Sequence, residues 1–128
     1  MEFVLRVRMS KKDAHYGGDL VDGARVLGLF GDAATALLIS LDGDEGLFVA
    51  YEAIEFKAPV YAGDFLEVKA KVEATGNTSR TISFEATKII SANPISGPSA
   101  ADRLDPPILV AVGRGICVVP RERQRKAI

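Results

Sequence analysis

The segment from about Asp22 to Leu41 limits the possible folds of this chain more than any other part of the sequence. Its apolar residues recur every three or four positions, which is typical of one face of a helix. Between Val26 and Leu41 only Asp32 is charged, so nearly all sides of this helix need cover. Each glycine inside a helix costs up to about 1 kcal/mol relative to alanine. We therefore expect neighbouring backbone to pass close to three of them, Gly23, Gly28 and Gly31.

The segments on either side of this helix are strand-like. Apolar and polar residues alternate in them, which is the period of a strand with one buried face. The turn Thr75-Gly76-Asn77 joins two of these segments into a predicted antiparallel hairpin. The predicted strands cover residues 3–9, 47–57, 66–72, 81–90 and 108–119.

Two features interrupt the strand pattern. Residues 91–107 contain four prolines and predict a long loop, with at most one helical turn. Gly113 and Gly115 lie inside the last strand and indicate a bulge or the close approach of a ligand. One strand, a long helix and then about four antiparallel strands predict an α+β hotdog fold, in which a sheet wraps around a central helix. Half of the helix and one sheet edge would stay uncovered in a single chain, so we expect a homodimer.

Composition bounds the class of protein. The 128 residues fit one domain over residues 1–128, and a net charge of −1 gives no electrostatic case for nucleic acid. No apolar run reaches about 18 residues, which argues against a membrane span. The single cysteine, Cys117, suits a reducing compartment, and the N-terminus lacks the pattern of a signal peptide. We expect a cytoplasmic protein that binds neither nucleic acid nor membranes.

The segment just before the helix carries the most reactive set of side chains. It places the only histidine, His15, among three aspartates and beside a glycine pair. Histidine titrates near neutral pH, and free backbone N–H groups at a helix start attract negative charge. We expect His15 to act as a base or to orient a carboxylate, and Gly17 and Gly18 to let N–H groups approach a substrate oxygen. Aspartate is a common helix cap, so one member of the set Asp13, Asp19 and Asp22 is expected to be structural.

Two carboxylates further along the chain are also candidates. Asp32 stands alone on an apolar helix, where a carboxylate must be paired, protonated or facing a cleft; the alternative is a satisfied buried partner. Glu55 shares a predicted inward face with Tyr51, whereas Glu52 lies on the opposite face. Burial there would raise the pKa of Glu55, as a base that works near neutrality requires.

These motifs together resemble the acyl-CoA ammonia-lyases of the hotdog superfamily over nearly the whole chain. The most specific blocks are Asp13-Ala14-His15-Tyr16 and Ala58-Pro59-Val60-Tyr61-Ala62-Gly63-Asp64. Residues 91–107 resemble the family least, and Asp19 stands where the family usually has asparagine. The likeness also covers Leu20-Val21-Asp22-Gly23-Ala24-Arg25, Phe30-Gly31-Asp32, Asp42-Gly43-Asp44, Gly76-Asn77-Thr78-Ser79-Arg80 and Gly115-Ile116-Cys117-Val118-Val119-Pro120.

The resemblance implies a reversible elimination of ammonia from a 3-aminoacyl-CoA, giving a 2-enoyl-CoA such as crotonyl-CoA. A base removes the α-proton, the thioester oxygen gains negative charge and the β-ammonium leaves as ammonia. The site would lie between subunits of a homodimer or of a higher homo-oligomer such as a hexamer. The expected catalytic residues are His15, Asp13, Glu55 and Asp32. The expected substrate contacts are Tyr16, Gly17, Gly18, Asp19, Asp22 and Tyr51.

Coenzyme A would enter as part of the substrate, with no metal and no permanently bound cofactor. Its phosphates require cations and hydrogen-bond donors at the entrance, and the expected residues are Asn77, Ser79, Arg80, Arg114 and Arg121. A hotdog acyl-CoA thioesterase is the first alternative, because it shares the fold and the coenzyme. A non-catalytic acyl-CoA-binding module is the second. The excess of carboxylates favours the lyase, whose substrate carries an ammonium group.

Overall fold

One long helix and five antiparallel strands form the part of the chain, residues 1–125, that this computed structural model describes. The helix, α1, covers Gly23–Asp42. Short 3₁₀ turns cover Lys11–Asp13, Gly17–Asp19 and Arg121–Arg123. The strands are β1 (Glu2–Arg8), β2 (Leu47–Phe56), β3 (Phe65–Thr75), β4 (Ser79–Ala92) and β5 (Ala101–Val118).

The strands form one sheet in the order β1-β3-β4-β5-β2, and α1 packs across one of its faces. The ring of Phe30 in α1 stacks on Phe84 in β4 with centroids 4.9 Å apart. The alternating apolar positions of β3 and β4 and the periodic face of α1 are buried as predicted, which confirms the α+β hotdog fold. The buried residues of this interface include Val26, Leu29, Phe30, Ala33, Leu37, Leu38, Leu66, Val68, Ile82 and Phe84.

Strand β2 does not follow the simple alternation that the sequence predicts. Its pairing with β5 shifts register between Phe48 and Ala50 and again between Tyr51 and Ala53. Each bulge inserts one extra residue, so the half-buried positions fall three apart, at Phe48, Tyr51 and Ile54. Tyr51 therefore faces inward as predicted, whereas the prediction of an inward Glu55 was wrong. The bulges expected around Gly113 and Gly115 lie instead on β2, across the strand pair.

Residues 91–92 and 101–107 are strand, so the predicted long loop is confined to residues 93–100. β4 continues to Ala92, which pairs with Ala101 of β5 on the other side of the loop formed by residues 93–100. Lys88 pairs with Ile108 but Ile90 pairs with Arg103, so residues 104–107 bulge out of the ladder. Prolines 106 and 107 lie in this bulge, where they need not donate a ladder hydrogen bond. The strand accommodates them without ending.

The outer face of α1 stays exposed, and its glycines do not meet neighbouring backbone as predicted. A Cβ atom at Gly28 or Gly31 would have no neighbour within 4 Å in the part of the chain that is described. At Gly23 a Cβ would lie 2.7 Å from the ring of Phe56, so a side chain explains this glycine. By length and composition α1 could also span a membrane, but its apolar face is covered by the sheet.

A buried ion pair fastens the C-terminal end of α1 to the β3–β4 hairpin. Arg80 donates through Nε and Nη2 to both carboxylate oxygens of Asp42, at 2.9 and 3.0 Å, with its side chain 4% exposed. Its Nη1 donates to the carbonyl oxygens of Gly76 and Ser79. Every part of this guanidinium is engaged, so the expected contact between Arg80 and coenzyme A was wrong.

We expect Arg80→Met to lower the free energy of unfolding by about 3–5 kcal/mol, because it leaves the Asp42 carboxylate buried without its partner. Urea denaturation at fixed protein concentration measures the change. The control is Arg6→Met, which breaks the Arg6–Glu67 pair, whose arginine is 72% exposed, and should cost less than about 1 kcal/mol. Equal losses for the two variants would contradict a stabilising role for the buried pair.

Candidate active site

The segment between β1 and α1 crosses the N-terminal end of the helix and is tied to the turn before β3. Gly18 and Asp19 have left-handed backbones, with φ values of 69° and 60°. The Ala62 N–H donates to the carbonyl oxygen of Asp19 at 2.9 Å, and Leu20 forms a β-bridge with Tyr61. Asparagine and aspartate tolerate the left-handed region better than other side-chain-bearing residues. Backbone conformation thus accounts for a short polar residue at position 19.

The structure brings His15 and Asp22 together at the start of α1. His15 Nδ1 lies 3.7 Å from Asp22 Oδ2, and the histidine side chain is 69% exposed. Asp22 is the N-cap residue of α1, yet its side chain makes no capping hydrogen bond. Its carboxylate is therefore available to hold a protonated imidazole.

Asp13 is the structural aspartate of the set. Its Oδ2 accepts hydrogen bonds from the backbone N–H and hydroxyl of Ser10, at 2.8 and 3.1 Å, and its Oδ1 lies 2.9 Å from Arg25 Nε. Burial raises the pKa of Asp13, but the Ser10 hydrogen bonds and the Arg25 charge outweigh burial and lower it overall. This carboxylate is held in place by its partners and does not suit a base.

Tyr16, Gly17 and Gly18 leave the end of the helix open. Tyr16 is exposed, and a Cβ at either glycine would have no neighbour within 4 Å among residues 1–125. A substrate oxygen can therefore reach the backbone along this stretch without displacing a side chain.

Glu55 points away from the core, which corrects its predicted burial. Its side chain is 63% exposed and accepts a 2.5 Å hydrogen bond from Lys57 Nζ. That hydrogen bond and the charge of Lys57 lower the pKa of Glu55, so the raised pKa predicted from the sequence was wrong. The bulges in β2 are the reason, because they shift the inward positions away from residue 55.

Tyr51 packs against aromatic side chains and is half-buried, whereas Asp32 is exposed. Tyr51 packs against Phe48 with ring centroids 4.3 Å apart, and its hydroxyl donates to the carbonyl oxygen of Leu27 at 3.1 Å. Burial raises the pKa of Tyr51, and its hydroxyl is engaged in fastening β2 to α1. Asp32 lies on the exposed face of α1, so the alternative of a buried partner was wrong.

The residues expected to hold coenzyme A lie away from His15 within one chain. Asn77, Ser79 and Arg80 belong to the β3–β4 hairpin at the C-terminal end of α1, and a helix of 20 residues is about 30 Å long. Arg121 donates to the side-chain oxygen of Asn77. Arg114 lies 3.5 Å from Glu52 across the β2–β5 pair. Within one chain, these residues therefore do not form a common site with His15 at the N-terminal end of α1.

Two cavities that the sequence analysis missed flank the bridge between Leu20 and Tyr61. The first, here the Tyr61 cavity, measures about 730 Å³ and has several charged residues in its lining. The second, here the Phe56 groove, measures about 440 Å³ and is mostly apolar. The Tyr61 cavity is lined among others by Arg8, Lys11, Gly18, Asp19, Tyr61 and Lys88. The Phe56 groove is lined among others by Leu20, Val21, Gly23, Val26, Phe56 and Val110.

A second buried ion pair shapes the boundary between these cavities. Asp64 is fully buried and lies 3.0 Å from Lys88 Nζ, and its carboxylate accepts the backbone N–H groups of Tyr61 and Ala92. Lys88 also donates to the carbonyl oxygen of Pro59 at 2.8 Å. The aspartate that ends the block from Ala58 to Asp64 therefore holds the turn that carries Tyr61. The hydrophobic surroundings of a lone Lys88 in β4 were the sequence signal for this pair.

Comparisons with known proteins place this arrangement in a family. The profile described as Thioesterase superfamily matches residues 19–89. The 3-aminobutyryl-CoA ammonia lyase of Acetoanaerobium sticklandii is 57% identical over 126 residues, which cover 98% of this chain and 100% of that protein. The resemblance seen in the sequence is thereby confirmed.

Solved structures agree with this relationship. The beta-alanyl-CoA:ammonia lyase from Clostridium propionicum superposes with a TM-score of 0.93 at 39% identity, covering 100% of this chain and 91% of that one. A hexameric hotdog fold thioesterase of Campylobacter jejuni superposes with a TM-score of 0.72 at 21% identity, covering 97% and 87%. At that identity the thioesterase shares the fold alone.

The contacts of Asp13 predict a pH-dependent contribution to stability. Because its pKa is lowered in the folded state, the wild type should be more stable than Asp13→Asn above the ordinary aspartate pKa of about 4. The difference should shrink as the pH falls through the lowered folded-state pKa. Thermal unfolding of both proteins between neutral and strongly acidic pH measures it. A difference that is unchanged at acidic pH would contradict the prediction.

Proposed function

Because the chain belongs to the acyl-CoA ammonia-lyases within the Thioesterase superfamily, we propose that it reversibly converts 3-aminobutyryl-CoA into crotonyl-CoA and ammonia. It is a carbon–nitrogen lyase by this membership. The observation that carries the proposal is the 57% identity to a 3-aminobutyryl-CoA ammonia lyase over nearly the full length of both chains. The thioesterases share only the fold, which does not determine the reaction.

His15 is the group we assign to proton transfer. In the forward direction it removes the α-proton, and the electrons of that C–H bond form the double bond between Cα and Cβ. The bond between Cβ and nitrogen breaks, its electrons stay on nitrogen, and ammonia leaves. His15 becomes an imidazolium, which Asp22 at 3.7 Å stabilises by its charge. A strong general acid is not required, since the leaving nitrogen already carries its protons.

Negative charge on the thioester oxygen requires donors that are in place before the reaction. The open backbone at Gly17 and Gly18, next to the N-terminal end of α1, supports this assignment. The Phe56 groove begins at the same end of the helix, where Gly23 and Val26 line it. Its apolar lining suits a short acyl chain.

We assign the ammonium pocket to Asp19, whose carboxylate has no ion-pair partner within residues 1–125. Asp19 faces the Tyr61 cavity, whereas Asp32 and Glu55 point out of a single chain. A second subunit would have to complete any site that uses the last two. The exposed edge strand β2, with Leu47 57% exposed, supports a homodimer with shared sites. A hexamer and a cytoplasmic location remain part of this proposal, as does catalysis without a permanently bound cofactor.

Incubation of the protein with crotonyl-CoA and ammonium tests the reaction. We expect loss of the enoyl-thioester absorbance that depends on ammonium and releases no free thiol. Release of thiol without any need for ammonium would replace the lyase by a thioesterase. If acyl-CoA binds but neither signal appears, the non-catalytic binding module becomes the correct function.

Replacement of His15 tests its role as the base. His15→Gln should lower kcat by about 10²–10⁴-fold, the usual contribution of a general base, and Asp22→Asn should lower it less. Lys12→Gln is the matched control, because Lys12 is an exposed neighbour outside the assigned site. Steady-state rates with crotonyl-CoA and ammonium measure all three. A His15→Gln variant as active as Lys12→Gln would rule out the assignment.

A further inference from the structure

Two cations at the Tyr61 cavity are free to bind an anion. Arg8 and Lys11 line the cavity, and within residues 1–125 neither has a carboxylate within ion-pair distance. The guanidinium of Arg8 lies 5.6 Å from the centre of the Phe65 ring, which leaves its donors available. Cations nearer the start of α1 are already neutralised, since Arg25 pairs with Asp13 and Lys57 pairs with Glu55.

We propose that the Tyr61 cavity binds the phosphorylated adenosine end of the coenzyme A substrate through Arg8 and Lys11. This inference rests on the proposed lyase function and locates a part of the substrate that the reaction itself does not consume. It replaces the cation set predicted from the sequence, in which Arg80 is fully engaged by Asp42 and Arg121 by Asn77.

The size and lining of the cavity fit such a group. A volume of about 730 Å³ lies within the range of about 300–1,000 Å³ that is usual for pockets that hold drug-sized ligands. Its walls combine small residues with the hydroxyl groups of Ser91 and Ser99. Lys88 also lines the cavity, but its charge is balanced by Asp64 at 3.0 Å. The unpaired cations are therefore those at Arg8 and Lys11.

The position of the cavity relative to the assigned site supports the same orientation. Gly18 and Asp19 line the Tyr61 cavity, and the neighbouring residue Leu20 lines the Phe56 groove. A substrate with its phosphates at Arg8 would thus extend past Gly18 towards the start of α1. Asp19 lines the cavity next to Gly18, so its carboxylate lies on this path.

Substrates with and without phosphates separate this role from catalysis. For the double variant Arg8→Gln/Lys11→Gln we expect kcat/KM for crotonyl-CoA to fall at least about tenfold, since each charge-assisted hydrogen bond to phosphate is lost. With crotonyl-pantetheine, which lacks the phosphates, the variant and the wild type should have equal kcat/KM. Equal losses with both substrates, or no loss with crotonyl-CoA, would overturn the proposal.

A binding measurement without turnover keeps the cavity test independent of the lyase test. Calorimetric titration with adenosine 3′,5′-bisphosphate should show binding to the wild type and to Lys12→Gln, and binding at least about tenfold weaker to the double variant. Ser99→Asp, which adds a negative charge to the lining, should weaken binding as well, whereas Ser96→Asp in the same turn but outside the lining should not. Failure of the wild type to bind the bisphosphate, or equal binding by all variants, would overturn the cavity assignment even if the lyase reaction is observed.

Discussion

Packing of one face of α1 on the sheet is the constraint from which the rest of the structure follows. The stacked rings of Phe30 and Phe84 lie near the middle of this contact, and large buried side chains of this kind contribute about 1.5–3 kcal/mol each. The two ends of α1 differ in their side-chain contacts. Arg80 closes the C-terminal end through Asp42, whereas Asp22 at the N-terminal end makes no side-chain cap. The C-terminal end therefore carries a fully engaged ion pair, whereas the N-terminal end carries a carboxylate without a capping bond.

The parts that the sequence predicts correctly are those governed by local periodicity. The buried face of α1 and the inward positions of β3 and β4 follow from spacing alone. Apolar residues recur every three or four positions in the helix and every second position in the strands. Spacing fails where the backbone inserts a residue. The bulges of β2 turn Glu55 outwards, and the bulge of β5 places Pro106 and Pro107 within a strand. A bulge depends on the partner strand, which no local pattern records.

In the candidate site, too, contacts between residues close in sequence are predictable and contacts between distant residues are not. His15, Asp22 and the glycine pair are close in sequence and close in space, so their association was predictable. Arg80 looked like a free surface cation, because its partner Asp42 is 38 residues away in the chain. The sequence does not predict a site at Arg8 and Lys11 for a similar reason, since the cavity they line is completed by residues between β4 and β5. A charged side chain can be assigned to a binding site only when its ion-pair partners from distant parts of the sequence are known.

The Leu20–Tyr61 bridge offers a physical basis for a lyase on a fold shared with thioesterases. It separates a cavity lined by charged residues, Asp19 among them, from an apolar groove beside Phe56. Hydrolysis needs water activated at the thioester carbon, whereas elimination needs a base at the α-carbon and negative charge near the β-nitrogen. Aspartates at positions 19 and 22 concentrate negative charge on the segment that carries His15. Under the proposed mechanism this charge would attract an acyl group that carries an ammonium, and it would give a neutral acyl group no such advantage.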